Sequence, residues 1–138
     1  MEKMFDNALH RGRGYIYSLH YHIVWCTKYR RPVLTDGIDT DIKQYFSEMA
    51  AQYDFVITAM EVMPDHVHLL LDCKPQFYIS DMVKILKGNT ARWIFMKHPV
   101  IKSKLWGGHL WNPSYCVVTV SERSEEQVTR YIASQKKK

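Results

Sequence analysis

The sequence predicts an α+β domain: a four-stranded antiparallel sheet with two helices on one face, plus a further helix at the C-terminal end. Three observations lead there. Segments with a two-residue apolar period and segments with a helical period alternate in the order strand, helix, strand, strand, helix, strand, helix. The middle two strands are separated only by Pro64-Asp65, a tight turn that makes them antiparallel neighbours. The 138 residues contain no repeat, no low-complexity tract and no Pro/Gly/Ser linker, so a single domain is expected over 1–138.

Residues 1–13 are polar and basic, with Arg11 and Arg13 flanking Gly12, and read as a loose lead-in. Residues 15–27 are dense in aromatic and β-branched side chains and read as one long strand. Tyr17, Leu19, Tyr21, Ile23 and Trp25 share one face of it; Ser18, His20, His22, Val24 and Cys26 share the other. Lys28-Tyr29-Arg30-Arg31-Pro32 makes a basic turn. Ile38, Ile42, Tyr45, Phe46, Met49 and Tyr53 form the apolar stripe of a helix over about 39–53. Strands two and three cover 55–63 and 66–73. Ser80 is a suitable N-cap for a helix over about 80–96. Ile79, Met82, Val83, Leu86 and Trp93 line its inner side, and Lys84, Lys87 and Arg92 point elsewhere. Residues 97–113 are irregular, broken by Gly107-Gly108 and Asn112-Pro113. The fourth strand covers 114–121, and Ser124-x-x-Gln127 resembles a capping box that opens the last helix. The first six elements follow the split βαβ order of ferredoxin-like and RRM-like domains.

Lys and Arg number 19 against 14 Asp and Glu, a net charge of +5 that suits a phosphate-bearing partner. Cys26, Cys73 and Cys116 are odd in number and widely spaced within apolar runs. They read as reduced, buried thiols of a cytoplasmic protein, not as a disulfide framework. No secretory h-region opens the sequence, and no apolar run is as long as a membrane span. Nine Tyr and four Trp can stack on unpaired bases where exposed, but most are expected to fill the core.

The chemistry centres on His66 and His68. Two residues apart on a strand, they share a face, while Val67, Leu69 and Leu71 turn inward. Two adjacent imidazoles suit a shared divalent metal, although two unrelated surface histidines would look the same. A metal needs a third ligand and open positions for substrate. Glu61, Asp65 and Asp72 are the nearby carboxylates, and none stands out. On the last helix, Val128, Tyr131, Ile132 and Gln135 share a face. That is either a plain amphipathic stripe or a functional pair. In the second case Gln135 offers an oxygen to the metal and Tyr131 a nucleophile. A phenol with pKa ~10 needs a neighbouring positive charge or base to ionise. Attack on a metal-polarised phosphodiester would give a phosphotyrosine, which a free DNA hydroxyl can resolve without ATP. No GxSxG elbow, phosphate-binding glycine loop or HExxH motif competes.

Met63-Pro64-Asp65-His66-Val67-His68-Leu69-Leu70-Leu71 resembles the HUH motif (His, hydrophobic, His) of the small single-tyrosine transposases of bacterial insertion sequences. The segment 105–115 is similar to the stretch before the fourth strand in that family, and Tyr131-x-x-x-Gln135 matches its tyrosine and third metal ligand. The resemblance covers about residues 14–135. It implies a homodimer that nicks and rejoins single-stranded DNA at element ends, which the family recognises through hairpins. It implies Mg2+ or Mn2+ held by His66, His68 and Gln135, and a 5′-phosphotyrosine on Tyr131 with a free 3′-hydroxyl. In some relatives the tyrosine helix completes the partner subunit's site. The setting would be a bacterial or archaeal cytoplasm. Arg11, Arg13, Lys28, Arg30 and Arg31 are the expected phosphate contacts. Two other readings stay open: a single-stranded nucleic-acid-binding module without catalysis, and a domesticated relative that processes chromosomal repeats.

Overall fold

A computed structural model describes residues 10–17, 19–76, 78–121 and 123–135. β1 (His10–Gly12) and β2 (Tyr15–Tyr17) form a small antiparallel hairpin. β3 (His20–Cys26), β4 (Val56–Met63), β5 (His66–Asp72) and β6 (Cys116–Thr119) form a four-stranded antiparallel sheet in the order β4-β5-β3-β6. That order is the one the split βαβ arrangement requires. The helices are α1 (Ile38–Tyr53), α2 (Ile79–Lys97) and α3 (Ser124–Ser134).

Strand alternation sorts the side chains into two layers. Ile23, Trp25, Val67, Leu69 and Leu71 are fully buried with Ile42, Phe46 and Met49 of α1 and Met82, Val83, Leu86 and Ile94 of α2. Trp25 packs edge-on against Phe46 and Trp111, each at 5.8 Å between ring centroids. Each such side chain contributes roughly 1.5–3 kcal/mol through burial. The alternate residues His22, Val24, Cys26, His68 and Leu70 are also buried, on the opposite face. α3 packs there, against β3 and β6, and buries Val128. The α+β architecture is therefore as the sequence predicts, and the added C-terminal helix lies on the sheet face opposite α1 and α2.

Several local expectations are corrected. The strand read over 15–27 is two strands in two sheets, because β2 ends at Tyr17 and β3 begins at His20. The aromatic alternation runs straight through the break, so periodicity alone cannot locate it. Residues 10–12 are paired, and the hairpin turns at Arg13-Gly14 with Gly14 at φ 80°. Ser80 lies inside α2; the backbone carbonyl of Tyr78 takes the first amides, from Asp81 and Met82, both at 3.1 Å. Ser124 likewise lies inside α3, and its hydroxyl donates to the Ser121 carbonyl at 2.9 Å, so no capping box forms. β6 is shorter than expected. Short 3-10 turns, Pro99–Lys104 and Trp106–Gly108, occupy the stretch read as irregular. The expectations for residues 1–9, Ser18 and Lys136-Lys137-Lys138 fall outside the described residues. Among the described residues, no helix is long and apolar enough to cross a membrane.

Candidate metal and tyrosine site

The β4–β5 hairpin turns at Pro64-Asp65 and sends His66 and His68 onto the α3 face. Register fixes their neighbours. His66 lies opposite Cys26 of β3, and His68 lies opposite Val24 on one side and Glu61 on the other. His66 is half-buried; His68 is only 8% exposed.

Each imidazole is held by one ring nitrogen. His66 Nδ1 meets Asp65 Oδ1 at 2.8 Å, an N–H to carboxylate bond that leaves the Nε2 lone pair free. His68 Nε2 meets His22 Nδ1 at 3.0 Å. Burial, and then the neighbouring His22, push His68 down to about 4, so it is neutral and ready to ligate at neutral pH. His22 is lowered too, chiefly by burial, against the pull of Glu125.

Asp65 does more than turn the chain. Its Oδ2 accepts from Arg30 Nε at 2.9 Å and Nη2 at 2.8 Å. Burial pushes its carboxyl up, but the hydrogen bonds from His66 and Arg30 and the charge of Arg30 outweigh that and hold it below the usual range. The third guanidinium nitrogen, Nη1, donates to the Ile132 carbonyl of α3 at 3.1 Å. Arg30 thus links the histidine turn to the tyrosine helix.

Tyr131 and Gln135 meet at Ser114. The Ser114 hydroxyl lies 2.5 Å from Tyr131 Oη, 3.3 Å from Gln135 Oε1 and 3.0 Å from Asn112 Oδ1. It has one proton, and two amide oxygens compete for it, so the Tyr131 O–H is the donor in the third contact. Burial raises the Tyr131 phenol, the Ser114 bond opposes the rise, and the nearby thiols of Cys26 and Cys116 add to it. Those two thiols lie on the face that carries His66 and His68, which places Tyr131 over that face. Gln135, the residue that ends α3, is 5% exposed.

The loop beneath is built by backbone bonds. The Asn112 amide donates to the Cys26 carbonyl and the Lys28 amide to the Leu110 carbonyl, both at 2.9 Å. Lys87 of α2, expected to point away, tucks in and donates from Nζ to the carbonyls of Asn112 at 2.6 Å and Ser114 at 3.2 Å. Burial pushes its amine down to about 8.

Two imidazoles that share a face, His68 kept neutral by burial, with an amide oxygen on the helix above that face, are side chains of a kind that suits a divalent cation. Among the described residues, no three His, Cys, Asp or Glu side chains gather to hold a metal. Asp65 is committed to Arg30 and His66, and Asp72 lies at the far end of β5 opposite His20. Asn112 and Gln135 are the two side-chain amides held at Ser114, and Gln135 is the one carried by the helix end.

The structure therefore brings together Tyr131 and Gln135 through Ser114, and His66 with α3 through Arg30. Arg11, Arg13 and Arg31 are exposed, and Lys28 lies over the Tyr29 ring at 5.1 Å. Sequence reasoning missed His22, Ser114, Asn112, Lys87 and the Asp65–Arg30 pair as site residues. Strand parity alone could have found His22, which shares its face with His68.

The family model described as "Transposase IS200 like" matches residues 15–135. Over 125 residues the chain is 53% identical to the ISDra2 transposase TnpA of Deinococcus radiodurans, covering 91% of this chain and 89% of that one. It is 25% identical to the transposase for insertion sequence element IS200 of Salmonella typhimurium, over 86% of this chain and 78% of the relative. A Deinococcus radiodurans R1 crystal structure described as a transposase superposes with a TM-score of 0.88 at 49% identity, covering 94% of this chain and 99% of that one. A REP-associated tyrosine transposase bound to a REP hairpin shares the fold at a TM-score of 0.60 and 16% identity, over 86% of this chain and 67% of that one. With the family match running across nearly the whole length and a relative at 53% identity, the chain belongs to the IS200-like transposase family.

Proposed function

We propose that this transposase cleaves single-stranded DNA at insertion-sequence ends and rejoins it through a 5′-phosphotyrosine on Tyr131. It would act as a homodimer in a bacterial or archaeal cytoplasm, with Mg2+ or Mn2+ held by His66, His68 and Gln135. One observation carries the reading: Tyr131 and Gln135, joined through Ser114, stand over the sheet face from which His66 and His68 project. A structural helix stripe has no reason to gather a phenol and an amide over the face that carries two imidazoles. A nucleic-acid-binding module without catalysis leaves that convergence unexplained.

A bound divalent cation would polarise the scissile phosphate and stabilise its developing charge. The rest falls to the protein. Tyr131 is protonated at rest, because burial raises its phenol. Its oxygen bonds to phosphorus as the bond to the 3′-oxygen breaks, and the phenolic proton ends on the departing 3′-hydroxyl. The reverse step, with the 3′-hydroxyl of another strand, regenerates the phenol and conserves the phosphodiester. Ser114 holds the phenol and Gln135 in one cluster, so the nucleophile and the third ligand move as a unit. The exposed Arg11, Arg13 and Arg31, with Lys28 beside them in sequence, would meet phosphates. The REP-associated relative is bound to a hairpin, and a DNA hairpin is the partner we carry over to this chain. Its insertion-sequence relatives favour a mobile-element target over a chromosomal repeat.

The test is strand cleavage. Wild type with end-derived single-stranded DNA and Mg2+ is expected to give a covalent adduct on a denaturing gel. Tyr131→Phe is expected to give none, and His66→Ala or His68→Ala only traces. An adduct undiminished in Tyr131→Phe sinks the reading.

A further inference from the structure

We propose that Arg30 and Asp65 are a positioning pair that sets the ring of His66 and docks the tyrosine turn of α3 by one chain of hydrogen bonds. This rests on the proposed roles of His66 and Tyr131. The chain is continuous: His66 Nδ1–H to Asp65 Oδ1 at 2.8 Å, Arg30 Nε and Nη2 to Asp65 Oδ2, and Arg30 Nη1 to the Ile132 carbonyl at 3.1 Å. Its first bond fixes which imidazole nitrogen carries the proton and leaves Nε2 as the lone-pair donor. Its last bond falls on the residue after Tyr131. The same Ile132 carbonyl also accepts the Gln135 amide at 3.1 Å, so one oxygen fixes the backbone turn between nucleophile and third ligand.

Two further features fit this role. The Ile132 carbonyl lies at the C-terminal end of α3, where the helix dipole favours a cation. The backbone also bends to present the arginine: Tyr29 (φ 56°) and Arg30 (φ 51°) are consecutive left-handed residues, and neither is glycine. That conformation is strained for residues with a Cβ, so the surrounding contacts must hold it. The side chains of Arg30 and Asp65 are 21% and 22% exposed, half-sheltered where a purely DNA-facing arginine would stand free. A lysine could not replace the arginine, because one ammonium cannot span the carboxylate and the Ile132 carbonyl with the same planar fork.

The experiment has a metal-free arm and a kinetic arm. Long-range 1H–15N correlation on the metal-free protein is expected to show His66 as the Nδ1–H tautomer in wild type and a mixture of tautomers in Asp65→Ala. In cleavage assays, Arg30→Ala and Arg30→Lys are expected to lower kcat about 10–100-fold with little change in KM for DNA, the range seen when outer partners of ligand histidines are removed. Added guanidinium is expected to restore part of the rate to Arg30→Ala and none to Arg30→Lys. The proposal is overturned if wild type cleaves and Arg30→Lys matches it, if Arg30→Ala raises only KM as a phosphate contact would, or if Asp65→Ala leaves the tautomer unchanged. Failure of wild type to cleave at all sinks the proposed function instead, and the tautomer arm still decides the Asp65 contact.

Discussion

The two faces of the sheet are made by the same strands and held by different forces. On the α1/α2 face, Ile23, Trp25, Val67, Leu69 and Leu71 close against two long helices, and the contacts are apolar and dense. On the α3 face, the neighbours of those same residues are His22, Val24, Cys26, His66 and His68, covered by an 11-residue helix. α3 buries Val128 there, and much of the rest of its docking is polar: Arg30 to Ile132, and Ser114 to Tyr131 and Gln135. The first face folds the protein. The second is fastened by polar groups whose energies are individually small, which suits the DNA-binding role proposed for it.

That contrast can be broken first where it is largest. Phe46→Ala empties a fully buried position on the α1/α2 face and is expected to cost about 3–5 kcal/mol in urea unfolding. Val128→Ala on α3 should cost only about 0.5–2 kcal/mol, since it removes two methyl groups from a helix that can resettle. Equal costs would mean that α3 belongs to the folding core.

The next effect is pH-dependent and belongs to the site face. In metal-free protein His68 titrates at about 4, while an unfolded imidazole titrates near ~6.5. Between those values the unfolded chain binds more protons, so stability is complete above about 6.5 and falls as pH drops towards 4, by up to ~1.4 kcal/mol per pH unit. His22, also lowered by burial, acts in the same direction. Denaturant midpoints across that range, with chelator present, should flatten in His68→Gln. An unchanged slope in that variant would place the acid sensitivity elsewhere.

The smallest effect is on the fastening itself. Ser114→Ala is expected to cost about 0.5–1.5 kcal/mol in stability, yet to raise hydrogen exchange in α3 selectively. Uniform loosening of the sheet would contradict the separation of the two faces.

The legibility of the sequence follows the same division. The α1/α2 face could be read because alternation in β3 and β5 and the stripe of α1 are local patterns, and they specify apolar burial directly. His66, His68, Tyr131 and Gln135 could be read because each pair has a spacing that one strand or one helix turn converts into a shared face. The break between β2 and β3 could not, since strand pairing in a second sheet leaves no mark on the alternation. Arg30 with Asp65, and Lys87 with Asn112 and Ser114, were invisible for another reason. They are joined across 35, 25 and 27 positions of sequence by side-chain to backbone or side-chain bonds with no period. Lys87 looked like an outward cation because helical phase gives direction but not reach.

The most direct measurement is mass spectrometry of the protein after reaction with end-derived single-stranded DNA and Mg2+, followed by proteolysis and nuclease trimming. The account predicts a nucleotide attached by its 5′-phosphate to the peptide that contains Tyr131, and to no other tyrosine. A nucleotide on a different residue, or DNA cleaved efficiently with no covalent peptide, would contradict it.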